Sequence, residues 1–480
     1  KMLLVANLFV LSLVIISTQA GVAKHNPFYC YSEDPIRQWS ALGGIQTPYE
    51  AVRGQNINPN VSTCKPSKFW LLSRHGARNP ELTYYGAVEL ADLISFIPVL
   101  HTQILTNYNQ GRTSLCASDF ELLKNWQFNP NVTMETVGDL SLSGWKEMEG
   151  MAKRFQQAFP TILPSIYSPD DYFFASTPSE RVQLSNHAFA DGLFGVNGYQ
   201  DVQFEIFTAP DLFLSSYSNC SLFATITNNN PNTINSWVEH NAFIQGPEYQ
   251  QMVTQVSAKL GFHNSNVLRN RDIALLIVHC KYEQLLNLNY TDPSPFCAAF
   301  SVANAQVIEY SEDLNWYYRL GYGLPQYRKL YENLMCVALQ DMLRFIKSND
   351  VNDHKARIFN GHLSQVLILL HFDAFAGDAI LTRHNFAQQI QRVWRSTEIL
   401  AMAGNLAVIR YDCAHGDNDI LFLFNEKPLQ IPGCDSNGVC KQSLILKRLN
   451  RYLNANCSEI YCTNSYPSEN GKWKKDKEIH

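Results

Sequence analysis

A chain of 480 residues with 46% hydrophobic and 17% charged residues has more apolar material than a disordered or collagen-like sequence, and it predicts a large buried core. Its 38 basic and 43 acidic residues give a formal charge of -5, with no basic block able to track a nucleic-acid backbone. That excludes an obvious nucleic-acid binder and leaves room for a local pocket of arginines. At roughly 150 residues per domain the length suggests about three domains, but α/β enzymes of this size also form one body with an inserted cap, so one or two folding units are expected.

Residues 1–20 place Lys1 ahead of an apolar run over 2–16 that ends in Ser17, Thr18, Gln19 and Ala20. The run is shorter than the ~20 residues a membrane-spanning helix needs and closes on small residues. It therefore predicts a cleaved signal peptide, a secretory-pathway location (extracellular or endoplasmic reticulum lumen), and no stable membrane span after cleavage. The start at Lys1 in place of methionine predicts truncation at the N-terminus. Twelve cysteines are an even set for such a compartment, and without a C-x2-C pair they read as disulfides in preference to zinc ligands. The close pairs Cys434/Cys440 and Cys457/Cys462 suit small surface loops. Sequons at Asn60, Asn131, Asn219, Asn289 and Asn456 fit a glycoprotein.

Short β-prone runs at 69–73, 172–175, 202–207, 356–360, 407–411 and 420–424 predict buried strands. Helical spacing marks 143–159, 183–194, 326–347, 366–375 and 388–403. The alternation predicts an α/β sheet domain with helices on both faces, built from 21–208 and 350–464. The mainly helical segment 209–349 is expected as an inserted cap, joined by an excursion near 107–138, and 465–480 as a polar disordered tail.

Chemistry concentrates where the first strand runs into Arg74-His75-Gly76-Ala77-Arg78-Asn79-Pro80. Ligands of open α/β sheets sit beyond the carboxyl ends of the strands, where this turn falls. Two guanidiniums around one imidazole repel unless an anion lies between them, and a phosphoryl group matches both forks. Gly76 would let backbone approach the ligand, and His75 could take the phosphoryl group while the arginines stabilise its oxygens. No metal and no cofactor is needed for that scheme.

This stretch resembles the R-H-G-x-R-x-P signature of the histidine acid phosphatases. Cys280-Lys281-Tyr282-Glu283 with Cys297, the run from Asp313 to Tyr318 leading to Gly321-Tyr322-Gly323, and Gly361-His362 resemble the multiple inositol polyphosphate phosphatase branch. The resemblance covers most of the mature chain and implies a histidine-phosphatase-like sheet domain with a helical cap. It also implies a phosphomonoesterase acting on inositol polyphosphates, phytate-like or 2,3-bisphosphoglycerate, as small-molecule partners. It makes His75 the nucleophile and His362 a second histidine on the phosphate. Arg74, Arg78 and Arg181 become phosphate-binding, with Lys281 as an added counter-charge.

The chain departs from that pattern after His362. Members carry His-Ala-Glu or His-Asp there, whereas this chain reads His362-Leu363-Ser364-Gln365. The missing carboxylic acid would protonate the leaving alkoxide, a contribution of about 10²–10⁴-fold. Three outcomes follow: a slow enzyme, a proton from another carboxylate such as Asp373, Asp417 or Asp419, or a non-catalytic phosphate-ligand binder. A broad-specificity acid phosphatase is the remaining alternative. The absence of H-E-x-x-H, G-x-x-x-x-G-K-[ST] and G-x-S-x-G weakens zinc-hydrolase, P-loop and serine-hydrolase readings.

Overall fold

A computed structural model of the chain describes residues 21–35, 43–84, 88–228 and 235–467. The expected signal peptide and most of the expected tail, beyond residue 467, lie outside the described residues.

The apolar run at the start of the motif is strand β1 (Lys65–Arg74). Phe69 and Leu71 belong to the core on one sheet face, and Trp70 and Leu72 to the core on the other, as the two-residue period of a strand requires. Seven further strands join it: β2 (Tyr172–Ser176), β3 (Phe204–Ile206), β4 (Ala356–Gly361), β5 (Asn405–Asp412), β6 (Asp419–Phe424), β7 (Lys427–Pro428) and β8 (Val439–Lys441). Among the described residues the sheet runs β8-β6-β5-β1-β4-β2-β3, with β7 paired to β6. β1, β4, β2 and β3 are parallel, while β5, β6 and β8 extend the sheet antiparallel. Arg74, Gly361, Ser176 and Ile206 therefore end their strands along one edge. All six predicted strands are present, and β7 and β8 are too short to show a sequence period.

Helices cover both faces. On one, α1 (Leu142–Ala158) and α2 (Glu180–Phe194) pack Met148, Met151, Phe155, Phe189 and Leu193 onto Leu71, Phe174 and Ile358. On the other lie α3 (Asn270–Leu286), α4 (Val302–Leu320), α5 (Cys336–Lys347) and α6 (Ser364–Leu369), whose apolar side chains share one core with Trp70 and Leu72. Between 209 and 349 the described residues contain helices and 3-10 turns and no strand. No helix among the described residues is long and apolar enough to cross a membrane.

Three predicted helices differ: the run 366–375 is an α-helix only over Ser364–Leu369, followed by a 3-10 turn at Leu370–Phe372. The run 326–347 breaks at Met335 into Arg328–Leu334 and α5. The run 388–403 keeps only a 3-10 turn at Phe386–Gln389 and a helical turn at Ser396–Ile399. There Asp378 accepts the Val393 and Trp394 N–H groups, and Asp313 accepts that of Ser396 at 2.6 Å. Arg392 is buried against Glu309 and Asp313. These long-range partners capture the backbone donors that an apolar period alone assigns to a helix.

The twelve cysteines form six disulfides: 30–116, 64–413, 220–462, 280–297, 336–457 and 434–440. Cys434–Cys440 is the expected small loop. The other local pair is corrected: Cys457 bonds α5 through Cys336, and Cys462 bonds Cys220. The short helix Cys457–Ile460 sits between these two partners, so sequence proximity gave the wrong pairing. All five sequon asparagines are exposed.

Candidate active site

The motif loop leaves β1 at the shared strand edge and is fixed there by backbone. Arg74 N–H donates to Gly404 O at 2.8 Å, and its Nη1 donates to Ile45 O at 2.8 Å and Leu400 O at 2.6 Å. His75 N–H donates to Gly361 O at 3.1 Å, and its own carbonyl accepts from Ala403 N–H at 2.9 Å. Below the strand ends, Ser73 Oγ donates to Asn360 Oδ1, Asn360 Nδ2 to Asn186 Oδ1 at 2.5 Å, and Asn186 Nδ2 to Ala175 O at 3.1 Å. This chain of buried amides joins β1, β4, α2 and β2.

Gly76 has a different reason to be glycine from the one expected. A Cβ there would lie 2.4 Å from Gly144 O, and a Cβ on Gly144 would lie 2.0 Å from Ala77 O. The missing side chains let the first turn of α1 dock on the loop, and the close backbone approach is to that helix. Ser141, the N-cap of α1, accepts from Gly144 N–H and donates its hydroxyl to Ala77 O at 2.9 Å. Glu147 of α1 accepts Ala77 N–H at 2.7 Å and Tyr49 N–H at 2.8 Å. Burial raises its carboxyl to about 7, against the pull of those two N–H groups.

His75 is 3% exposed, and its Nδ1 lies 2.9 Å from Gly76 O. A carbonyl can only accept, so Nδ1 carries the proton and Nε2 keeps its lone pair. Burial first, then Arg74, Arg78, His362 and Arg181, push this imidazole well below its ordinary pKa. His362, just after β4, sets its ring 5.6 Å from that of His75 at 77°. Burial, then Arg181, Arg74 and Arg78, lower it to about 3. Both imidazoles are thus neutral at acidic and neutral pH. Arg74 is lowered to about 9 by burial and by Arg78, still high enough to stay charged at pH 7.

Arg181 lies in the first turn of α2, directly after β2, and its carbonyl accepts from Ser185 Oγ, which in turn accepts Gly76 N–H. Arg78 is 3% exposed; its Nη1 donates to Asn79 O at 2.9 Å and to the Tyr282 hydroxyl at 3.3 Å. Its Nη2 meets Glu81 Oε1 at 2.8 Å, and Arg181 Nη2 reaches that same oxygen at 3.6 Å. The structure thus brings together Arg74, His75, Arg78, Arg181 and His362, with three guanidiniums around two neutral imidazoles.

Lys281 is placed otherwise. It is buried in an ion pair with Glu312, which packs on Gly44. The ammonium therefore sits behind the turn whose Ile45 carbonyl holds Arg74. Ser364 is fully buried, and its hydroxyl donates to Leu214 O at 2.6 Å. Asp419 pairs with Tyr411, which pairs with Pro66, so it lies about 26 Å of strand away from Arg74 at ~3.3 Å per residue. Asp417 precedes it on the same far edge, where it accepts Ser443 N–H, and Asp373 pairs with Arg328 at 2.9 Å. None of the three is placed to serve His75. Sequence reasoning missed Glu81, Glu147 and Ser185. Glu81 had a signal, since it follows the signature directly; the other two come from distant helices.

A family model described as "Histidine phosphatase superfamily (branch 2)" matches residues 68–425. A multiple inositol polyphosphate phosphatase 1 from Drosophila melanogaster is 32% identical over 452 residues, covering 92% of this chain and 91% of its own. Among solved structures, the phytase from D. castellii superposes with a TM-score of 0.61 at 16% identity, over 86% of this chain and 85% of that one. The Bifidobacterium longum multiple inositol polyphosphate phosphatase, crystallised with inositol hexasulfate, gives 0.53 at 13% identity over 85% and 97%.

Proposed function

The chain belongs to branch 2 of the histidine phosphatase superfamily, and from that premise we propose that it removes phosphate from inositol polyphosphates through a phosphohistidine on His75. The observation that carries this reading is the tautomer of His75: its Nδ1–H is spent on Gly76 O, and burial among arginines keeps the ring neutral. Nε2 then attacks phosphorus, forming the N–P bond as the ester P–O bond breaks. Arg74, Arg78 and Arg181 spread over the nonbridging oxygens and stabilise their charge in the transition state. His362 faces the same phosphoryl group from the end of β4. Water then cleaves the N–P bond and returns the electron pair to Nε2.

Lys281 enters as counter-charge behind Arg74, and it would reach a substrate phosphate directly only by leaving Glu312. The helical segment 209–349 serves as a cap over the strand edge, supplying Tyr282 against Arg78. Six disulfides and five exposed sequon asparagines support passage through the secretory pathway with glycosylation.

The test is phosphate release from inositol hexakisphosphate beside His75→Ala, with binding followed in the same samples. Release that disappears in the variant, together with an acid-labile phosphoenzyme in the wild type, is the expected result. A second reading, a phosphate-ligand binder without turnover, draws on Ser364, whose hydroxyl is committed to Leu214 O. Tight binding with no release above the His75→Ala level would establish that reading instead.

A further inference from the structure

The reaction proposed above lacks a proton for the leaving alkoxide, because Ser364 stands where relatives carry a carboxylic acid and its hydroxyl is already donated. The nearby carboxylates are mostly committed. Glu147 spends both oxygens on backbone N–H groups beneath the loop, and Glu312 is paired with Lys281. Asp211, after β3 on the same edge, caps the Phe213 and Leu214 N–H groups through Oδ1.

Glu81 is paired as well, but with the phosphate-site arginines themselves. One oxygen of its side chain lies between Arg78 and Arg181, the two guanidiniums expected to grip phosphate, and the side chain is 42% exposed while His75 is 3% exposed. In-line attack from the buried imidazole expels the leaving oxygen on the side away from His75, and Glu81 is the most solvent-exposed of these carboxylates. Resting on the phosphohistidine reading, we propose that Glu81 is the general acid and base of this site, in place of the carboxyl absent at Ser364.

A phosphate group offers both forks a better bidentate partner than one carboxylate oxygen, which releases the Glu81 side chain toward the leaving oxygen. The charged and titratable groups that face it are Arg78 on its own loop, Arg181 on α2, Arg74 on β1, and Tyr282 on α3 against Arg78. As the P–O bond breaks, its electron pair stays on the leaving oxygen, which takes the proton from Glu81. In the second half-reaction the Glu81 carboxylate removes a proton from the attacking water, and the acid form is restored.

The test uses the whole protein and two esters: inositol hexakisphosphate, whose alkoxide must be protonated, and p-nitrophenyl phosphate, whose phenolate departs without a proton. In Glu81→Gln, kcat/KM on the inositol ester, which reports formation of the phosphohistidine, should fall about 10²–10⁴-fold while kcat/KM on the aryl ester stays comparable; kcat can fall on both, because hydrolysis of the shared phosphohistidine also uses Glu81. Asp211→Asn should alter neither ratio. Retained binding of inorganic phosphate shows that each variant is folded. Equal losses of kcat/KM on both esters, or gains on both as expected if Glu81 were merely a competing anion, would overturn the proposal. So would selective loss in Asp211→Asn. Failure of the parent reading looks different: wild type releases phosphate from neither ester, or His75→Ala still does.

Discussion

His75 and Glu147 are buried within two residues of each other's hydrogen bonds, yet burial acts on them in opposite chemical senses. For the imidazole it favours the neutral base, so no acid limb near the ordinary imidazole value of 6.5 is expected in kcat/KM. An acid limb at that value in kcat/KM would contradict the account in which burial and the arginines hold His75 neutral. His362, lowered from 6.5 to about 3, contributes stability that is present above 6.5 and is lost as pH falls through about 3. Glu147 has the opposite sign. Its carboxyl is raised from 4.5 to about 7, so its contribution is full below 4.5 and is lost as pH rises through 7. Between those limits the wild type should lose about 3 kcal/mol relative to Glu147→Gln, as read from denaturation midpoints at pH 4.5 and 7. A stability difference between the two proteins that is flat across this range would remove the buried-carboxyl account. Arg74, His75 and Arg78 stand together in one short motif at a strand end and could be read from it, whereas Arg181 and His362 were named only through the family resemblance. Glu147 could not be read at all, because it reaches Ala77 across 70 residues of chain and no local pattern marks a carboxylate as an acceptor for a loop.

At the scale of elements, the docking of α1 onto the motif loop depends on two glycines facing each other. Gly144 is the third residue of α1, and in an ordinary helix alanine there would be favoured by roughly 1 kcal/mol. Here the added Cβ meets Ala77 O at 2.0 Å, so the sign reverses: Gly144→Ala should destabilise by about 1–3 kcal/mol, as overpacking does. Because the displaced carbonyl is two residues from His75, kcat should fall with stability; a stabilised, fully active variant would sink the argument. Ser364→Ala tests the other flank, where α6 is tied to the 211–217 turn; losing the donor to Leu214 O should cost about 1–2 kcal/mol without changing the ester preference. Strands were readable because both faces of β1, β4, β5 and β6 are buried and leave continuous apolar runs. The segment 388–403 departs from its helical period because the Arg392 guanidinium is held by Asp313 and Glu309 and the Val393 N–H by Asp378, partners that a periodic pattern cannot reveal.

Across the whole molecule, the sheet and the mainly helical segment share one core, and the disulfides differ greatly in what they enclose. Cys64–Cys413 joins residues 349 apart, just before β1 and just after β5, and so closes the antiparallel pair at the edge remote from His75. Cys434–Cys440 encloses a separation of only 6. That the cysteines pair as disulfides could be read from their even number, but the pairing could not, since it follows the tertiary path that brings residues 64 and 413 together. In the chain-entropy account stabilisation grows with the logarithm of the enclosed loop, so replacing the long bridge by serines should cost about 6 kcal/mol and the short one about 2 kcal/mol. Cys64→Ser/Cys413→Ser should therefore unfold at clearly lower denaturant than Cys434→Ser/Cys440→Ser. Because Pro66 and Tyr411 lie eight residues along β1 from Arg74, the folded fraction of the first variant should keep the wild-type ratio of inositol to aryl ester cleavage. Equal midpoints for the two variants would mean that loop entropy does not set their order. A changed ester ratio would mean that strain at the far edge of β1 is transmitted along the strand to His75.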